Sequence, residues 1–317
     1  MRVNFSAEEK AAVLGIVKVW KRSQIDVKSF DAIQSKYGIP ARLAETMFWH
    51  LDTLDAIGRA GQLVFKGGTC IQSYVAPELQ RASVDLDFNT SIQNPNAIMD
   101  AMEDLNKILE GAGRIASVRG VKFGAVEFDF KDEKSGTLSF RRRMPSRFGE
   151  FERAGDVDVQ SKSIRIQVNY KHSWMPALNT VEKEVAFFVQ DAQKPAMPVK
   201  FVHASPEDLF ADKILATSNI GPFGRERFKD VYDLIVLSGI KPEKKQILKK
   251  LDLVGEHSGL DANAILKASI ETISGFAEHS LDARGFSSMV CSGGKKIVEN
   301  WESECEKLSK TVMGLVQ

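Results

Sequence analysis

The sequence predicts an α+β fold: a mixed β-sheet between helices at the N-terminal end and a helical bundle over the last third. Three observations predict it. Residues 6 to 62 carry apolar residues at helical spacing. Residues 63–204 are rich in short segments that alternate apolar and polar. From Ser205 onward the helical period returns. The 317 residues leave room for two units, and the natural cut divides them as 1–204 and 205–317.

Each element has a local reason. Ser6 and Glu9 form a capping box for a helix that aligns Val13, Leu14, Val17 and Trp20. A second helical segment follows near 28–37. Pro40 suits the first turn of a third, which places Leu43, Met47, Leu51, Leu54 and Ile57 on one stripe. After Gly61, Leu63-Val64-Phe65 reads as a short apolar strand. Lys66-Gly67-Gly68-Thr69 then leads into a short helix through Tyr74, and Val84–Phe88 alternates with period two. Pro95 opens a helix that ends near Gly111 and Gly113. Strands are expected at Val121–Phe130, Thr137–Arg143, Ser163–Tyr170, Glu184–Val189 and Val199–His203. Ser205-Pro206-Glu207-Asp208 is a capped start, and the remainder reads as helix.

Composition narrows the class. With 43% hydrophobic and 27% charged residues the chain is globular. No apolar run approaches the roughly 18 residues of a membrane span. A net charge of +1 argues against a general polyanion coat but leaves room for a local basic groove. Cys70, Cys291 and Cys305 are dispersed, which suggests a reducing compartment and gives no zinc site. His50, His172, His203, His257 and His279 are equally scattered and read as structural. Lys18 and Lys21 interrupt any signal-like apolar core, so a cytoplasmic protein is expected.

The chemistry concentrates between Phe65 and Phe88. Gly67 and Gly68 let the backbone approach a ligand, and N–H groups opening the next helix favour an anion. Asp85 and Asp87, two apart on a strand, share one face. Such a pair suits Mg²⁺, which binds one or two carboxylates together with substrate phosphates. A second cluster lies in the helical part. Asp230 and Asp233 are three apart and neighbours on one helix face, whereas Lys229 with Asp233 reads equally as a surface pair.

These clusters together resemble the AbiEii/AbiGii group of minimal nucleotidyltransferases, toxins of type IV-like toxin–antitoxin and phage-defence systems. The resemblance rests on Lys66-Gly67-Gly68-Thr69, on Arg81-Ala-Ser83-Val-Asp85-Leu-Asp87, on Glu207 through Lys213, and on Arg227-Phe-Lys229-Asp230-Val-Tyr-Asp233-Leu234. It covers roughly residues 60–240 and implies a nucleotidyltransferase-fold core. It also implies transfer of a nucleotidyl group from an NTP, with Mg²⁺ or Mn²⁺ on Asp85 and Asp87. Lys66, Gly67, Gly68, Thr69, Arg81, Ser83, Lys213 and Asp233 would then surround the nucleotide, with Lys213 neutralising the triphosphate and Asp230 completing the catalytic set. Some relatives act on the tRNA 3′ end and block translation. An AbiEi-type antitoxin encoded nearby, forming no stable complex, would be the cognate partner.

One departure stands out. Polymerase-like members of the superfold carry a third carboxylate on a later strand. Here the inward candidates, Gln167 and Asn169, are neutral, and Glu127 and Asp129 come early in the order.

An RNA acceptor requires a basic surface. Arg141, Arg142, Arg143, Arg147 and Arg153 lie among Phe140, Phe148 and Phe151, and residues 131–175 hold ten Lys/Arg against six Asp/Glu. Arginines beside aromatic rings suit phosphate contact and base stacking. A solvated hairpin explains them equally. The net +1 would then be a cancellation between an acidic metal site and an arginine-rich acceptor surface. Two further readings stay open: nucleotidyl transfer to a protein or small molecule, and an NTP-binding regulator whose catalysis has decayed.

Overall fold

The computed structural model describes residues 27–58, 62–118, 121–154, 157–171, 179–192, 199–218, 228–279 and 285–316. The expected capped helix at Ser6 lies outside them. Among the described residues two helices come first, α1 (Val27–Tyr37) and α2 (Ala41–Ile57), the latter directly after Pro40. Then follow β1 (Leu63–Lys66), α3 (Gly67–Gln72), β2 (Asp85–Thr90) and α4 (Pro95–Gly111). The strand-rich part holds β3 (Ala116–Val118), β4 (Val121–Phe123), β5 (Val126–Asp132), β6 (Thr137–Ala154), β7 (Val157–Asn169), β8 (Thr180–Glu184) and β9 (Lys200–Ala204). Among the described residues six helices follow: α5 (Pro206–Ser218), α6 (Phe228–Ser238), α7 (Lys244–Ser258), α8 (Ala262–Ala277), α9 (Ser292–Glu299) and α10 (Trp301–Met313).

The main sheet has the order β5-β6-β7-β2-β1-β9-β8, and β3-β4 form a separate pair. It is mixed: β2 runs parallel to β7 and β1 parallel to β9, while the other neighbours are antiparallel. Strand alternation separates its two faces. One face carries Phe65, Leu86, Phe88, Leu138, Phe140, Ile166, Val168 and His203, all buried. Phe65, Phe88 and Phe201 stack there with ring centroids 5.5–6.1 Å apart. The other face carries Lys66, Asp85 and Asp87, all half-buried.

Three expectations need correction. The strand expected at Glu184–Val189 ends at Glu184, and Phe188–Ala192 is a 3₁₀ turn. The reason is Gln80, whose side-chain amide donates to the Ala186 carbonyl (2.7 Å) and accepts from the Phe188 N–H (2.7 Å). Backbone groups so occupied are lost to a ladder. The strand expected at Val121–Phe130 breaks at Gly124, where φ is +85° and a Cβ would collide with the Arg114 carbonyl. The strand expected to end at Arg143 runs on to Ala154, with its register to β7 shifted between Pro145 and Glu150. Buried Glu45 of α2 holds that irregularity, accepting from Ser146 Oγ (2.5 Å) and the Arg147 N–H (2.9 Å).

Of the scattered histidines, His50 and His203 are buried and His257 and His279 exposed, while His172 lies outside the described residues. Burial holds His50 near a pKa of about 3 and His203 near about 4, so both are neutral at pH 7. All three cysteines are buried and free. Among the described residues, no helix is long and apolar enough to cross a membrane.

Candidate active site

Strand pairing assembles the site. Lys66 at the end of β1 lies opposite Asp87, so both side chains stand on one face. On the other side of β2, Asp85 is in register with Arg165 of β7 and Asp87 with Gln167. The Arg165 guanidinium reaches the Asp85 carboxylate at 3.8 Å, a loose pair. Burial pushes the Asp87 carboxyl above the usual carboxylate range, and the negative charge of Asp85 adds to this. Lys66, Lys213 and Lys229 oppose it without cancelling it. Burial also lowers the Lys66 ammonium, against the pull of Asp212 and Asp87.

The glycine pair has close neighbours within the protein. Gly67 has φ +74°, a left-handed conformation, and a Cβ there would overlap the Asp87 carboxylate. A Cβ on Gly68 would overlap the Arg81 guanidinium. The two glycines thus make room for Asp87 and Arg81, both brought against the β1–α3 turn. Thr69 is also engaged within the protein: its buried hydroxyl donates to the Asp85 carbonyl at 2.5 Å. That bond ties α3 to the start of β2. Ser83 is buried as well, and its N–H points at the Met47 sulfur, 3.4 Å away.

Behind Gly68 lies a buried quartet of charges. Arg81 grips Asp233 of α6 in a two-pronged pair, Nε to Oδ1 at 2.8 Å and Nη2 to Oδ2 at 2.6 Å. Lys213 of α5 contacts Asp233 Oδ2 at 2.8 Å and also pairs with Asp230. Two cations face two carboxylates, so the group is neutral. Burial works against each ion, but the partners prevail: Asp233 is held below the usual carboxylate range, and Lys213 and Arg81 lie above their ordinary values. Gln72 adds support, accepting from the Arg81 N–H (2.8 Å) and donating to the Gly68 carbonyl (2.8 Å). The motif reading did not single out this glutamine, which lies between the two motifs.

The sequence-predicted residues therefore sort into two sets. Asp85, Asp87 and Lys66 share one face, and Lys213, itself paired with Asp230 and Asp233, is near enough to act on Asp87. Arg81, Asp233, Thr69 and Ser83 are committed to internal partners or buried. The arginine triplet is split by strand alternation. Arg142 is fully buried, donating to Asp52 (2.6 Å), Thr53 (3.1 Å) and the Gly124 carbonyl (2.8 Å). It is a core residue, and its place in an RNA surface is withdrawn. Arg141 faces the opposite way, 44% exposed, and Arg147 is exposed. Arg143 is half-buried, and the Arg153 side chain lies outside the described parts.

Neither sequence candidate for a third carboxylate lies beside the pair. Glu127 and Asp129 belong to edge strand β5, three strands from β2, or roughly 14 Å at about 4.8 Å per strand. Arg141 lies within 3.6 and 4.0 Å of them. Among the described residues, no group of three or more His, Cys, Asp or Glu could hold a metal ion. Two carboxylates on one strand face nonetheless fit a hard divalent cation that takes its other ligands from phosphate and water.

Over residues 50–290 the chain matches the family described as nucleotidyl transferase AbiEii toxin, type IV TA system. No curated protein matches. Among solved structures, a protein from H. pylori provisionally assigned as a nucleotidyltransferase aligns at 14% identity with a TM-score of 0.42. The alignment covers 85% of this chain and 96% of that one.

Proposed function

Because this chain belongs to the AbiEii family of nucleotidyltransferase toxins of type IV toxin–antitoxin systems, we propose that it transfers a nucleotidyl group from an NTP to the 3′ end of tRNA and so blocks translation. The single observation that carries the reading is the Asp85–Asp87 pair, on one sheet face with Lys66 opposite and Lys213 and Lys229 acting on it.

Asp85 and Asp87 would hold Mg²⁺ or Mn²⁺, which when bound supplies neutralisation of triphosphate charge. Lys213, fixed by Asp230 and Asp233, presents a cation to the same area. Lys66 offers a second, close to Asp87. Nucleotidyl transfer depends on positioning and charge stabilisation, so no covalent nucleophile is needed. Residues 1–204 contribute the acidic pair and residues 205–317 contribute Lys213 and Asp230. Gly67, Gly68, Thr69, Arg81, Ser83 and Asp233 serve the nucleotide by fixing this framework. The setting is a cytoplasmic phage-defence system with an AbiEi-type antitoxin encoded nearby.

Incubation with total tRNA, labelled NTPs and Mg²⁺ tests this. Label on tRNA, lost in Asp87→Asn, supports it. Label on a protein or metabolite would replace the acceptor. NTP binding without transfer to anything would favour the regulator reading.

A further inference from the structure

A row of four charged residues crosses the site face of the sheet. Glu127 of β5, Arg141 of β6, Arg165 of β7 and Asp85 of β2 are in mutual register, one per strand. The order of signs is minus, plus, plus, minus. The two arginines stand directly opposite each other, an arrangement that is destabilising on its own. Each leans on its outer carboxylate, Arg141 at 3.6 Å from Glu127 and Arg165 at 3.8 Å from Asp85. Both remain open to solvent, 44% and 56% exposed. An anion between the guanidiniums would relieve their repulsion.

A second feature lies beside them. The β5–β6 register shifts between Phe128 and Phe130. Before the shift Phe128 pairs with Phe140, whose side chain belongs to the buried face. After it Phe130 pairs with Ser139, which is in register with Gln167 and through it with Asp87. A bulge that inserts one residue re-aims the side chains that follow. Here it turns Phe130, 46% exposed, onto the same face as the acidic pair. An exposed ring next to two arginines is the combination that single-stranded nucleic acid uses, with stacking on the ring and phosphate on the cations.

Resting on the RNA-acceptor reading above, we infer that Arg165, Arg141 and Phe130 form the track that leads the acceptor strand to Asp85. Arg165 and Arg141 bind a phosphodiester next to the reacting end, and Phe130 stacks a base upstream. The track approaches Asp85 from the β5 edge, whereas Lys66 and Lys213 act at Asp87. Acceptor and nucleotide thus come from different sides.

The test is a kinetic split combined with direct binding. Arg165→Gln, Arg141→Gln and Phe130→Ala should each raise KM for the RNA acceptor about tenfold, the scale of a lost phosphate or stacking contact, and leave KM for the NTP unchanged. Each arginine change should also reduce the salt slope of RNA binding by about one, and Phe130→Ala should leave that slope unchanged. Binding is read by anisotropy on a labelled tRNA 3′ oligonucleotide in an Asp87→Asn background, which separates this proposal from transfer itself. Oligonucleotide binding that responds to the three changes supports the track even where no transfer is seen. Unchanged acceptor KM and unchanged salt slope in folded variants, verified by thermal melting, overturn it. So does a rise confined to the KM for NTP, which would assign Arg165 to the triphosphate, or transfer to a protein acceptor alone.

Discussion

Arg81 and Asp233, 152 positions apart in the chain, meet in the interior as a two-pronged ion pair with N···O distances of 2.8 and 2.6 Å. The pair joins the first residue of the Arg81–Asp87 motif to helix α6, and Lys213 shares the same carboxylate. Removing one partner leaves a buried charge uncompensated. Arg81→Met or Asp233→Asn should therefore cost about 3–5 kcal/mol, read from urea unfolding. The double variant Arg81→Met with Asp233→Leu should cost less than the sum of its parts. Additive losses would mean that the two residues do not act as a unit.

Gly67 is constrained in two ways. Its φ of +74° would strain any L side chain by about 1–2 kcal/mol, and a Cβ would displace the Asp87 carboxylate. Gly67→Ala is expected to fold with a modest loss of melting temperature. Nucleotidyl transfer should fall on the order of a hundredfold, because small misplacement of a reacting group is that costly. Transfer within twofold of wild type would show that the turn tolerates the shift.

Asp87 should make stability depend on pH in an unusual direction. Its folded-state pKa lies above the ordinary carboxylate value, so the folded chain holds this proton more tightly than the unfolded chain. Ionised Asp87 therefore lowers stability at neutral pH, and the cost fades as pH falls through the raised value toward the ordinary one, about 3.9. In chelator, Asp87→Asn should be more stable than wild type at pH 7, with the gap closing by about pH 4. Added Mg²⁺ should raise the wild-type midpoint alone. A less stable variant at pH 7 would show that attraction to Lys66 outweighs burial and the repulsion of Asp85.

Asp52 should behave in the opposite sense. Burial alone would raise its pKa, but Arg142 and Arg114 prevail and hold it below the ordinary value. Its stabilising contribution is complete above the ordinary value and disappears as pH falls through the folded-state value. Asp52→Asn should thus cost roughly 3 kcal/mol at pH 7, the scale of a broken buried pair. The cost should be smaller at the lowest pH at which the protein stays folded, as the wild-type carboxylate takes up its proton. An equal cost at both pH values would point to lost hydrogen bonds rather than charge.

Much of this was legible where the determining interactions are local. Alternation identified the strand bearing Asp85 and Asp87, and Pro40, Pro95 and Pro206 marked helix starts that stand within a residue of the observed ones. The Gly67-Gly68 turn was visible too, but the side chains packed against it were not. What fills the space beside a glycine is a side chain from elsewhere in the chain, here Asp87 and Arg81. The split of Arg141 from Arg142 was implicit in strand alternation. Which of the two faces is covered depended on α2 supplying Asp52. Arg165 went unremarked as a site residue because its neighbours in the site come from β6 and β2, and strand order is absent from local pattern. The 3₁₀ turn at Phe188 was likewise hidden, since Gln80, more than a hundred positions earlier, determines it.

The net charge of +1 shows the same division. The sequence determined the acidic and basic totals, the period of each element and the placing of two carboxylates on one side of a strand. These follow from backbone geometry over a few residues. Tertiary structure decided where the charges cancel. Part of the cancellation is internal: Arg81 and Lys213 against Asp230 and Asp233, and Arg142 and Arg114 against Asp52 and Asp55. An ion can be buried only beside its opposite, and those partners are found only once the chain has folded.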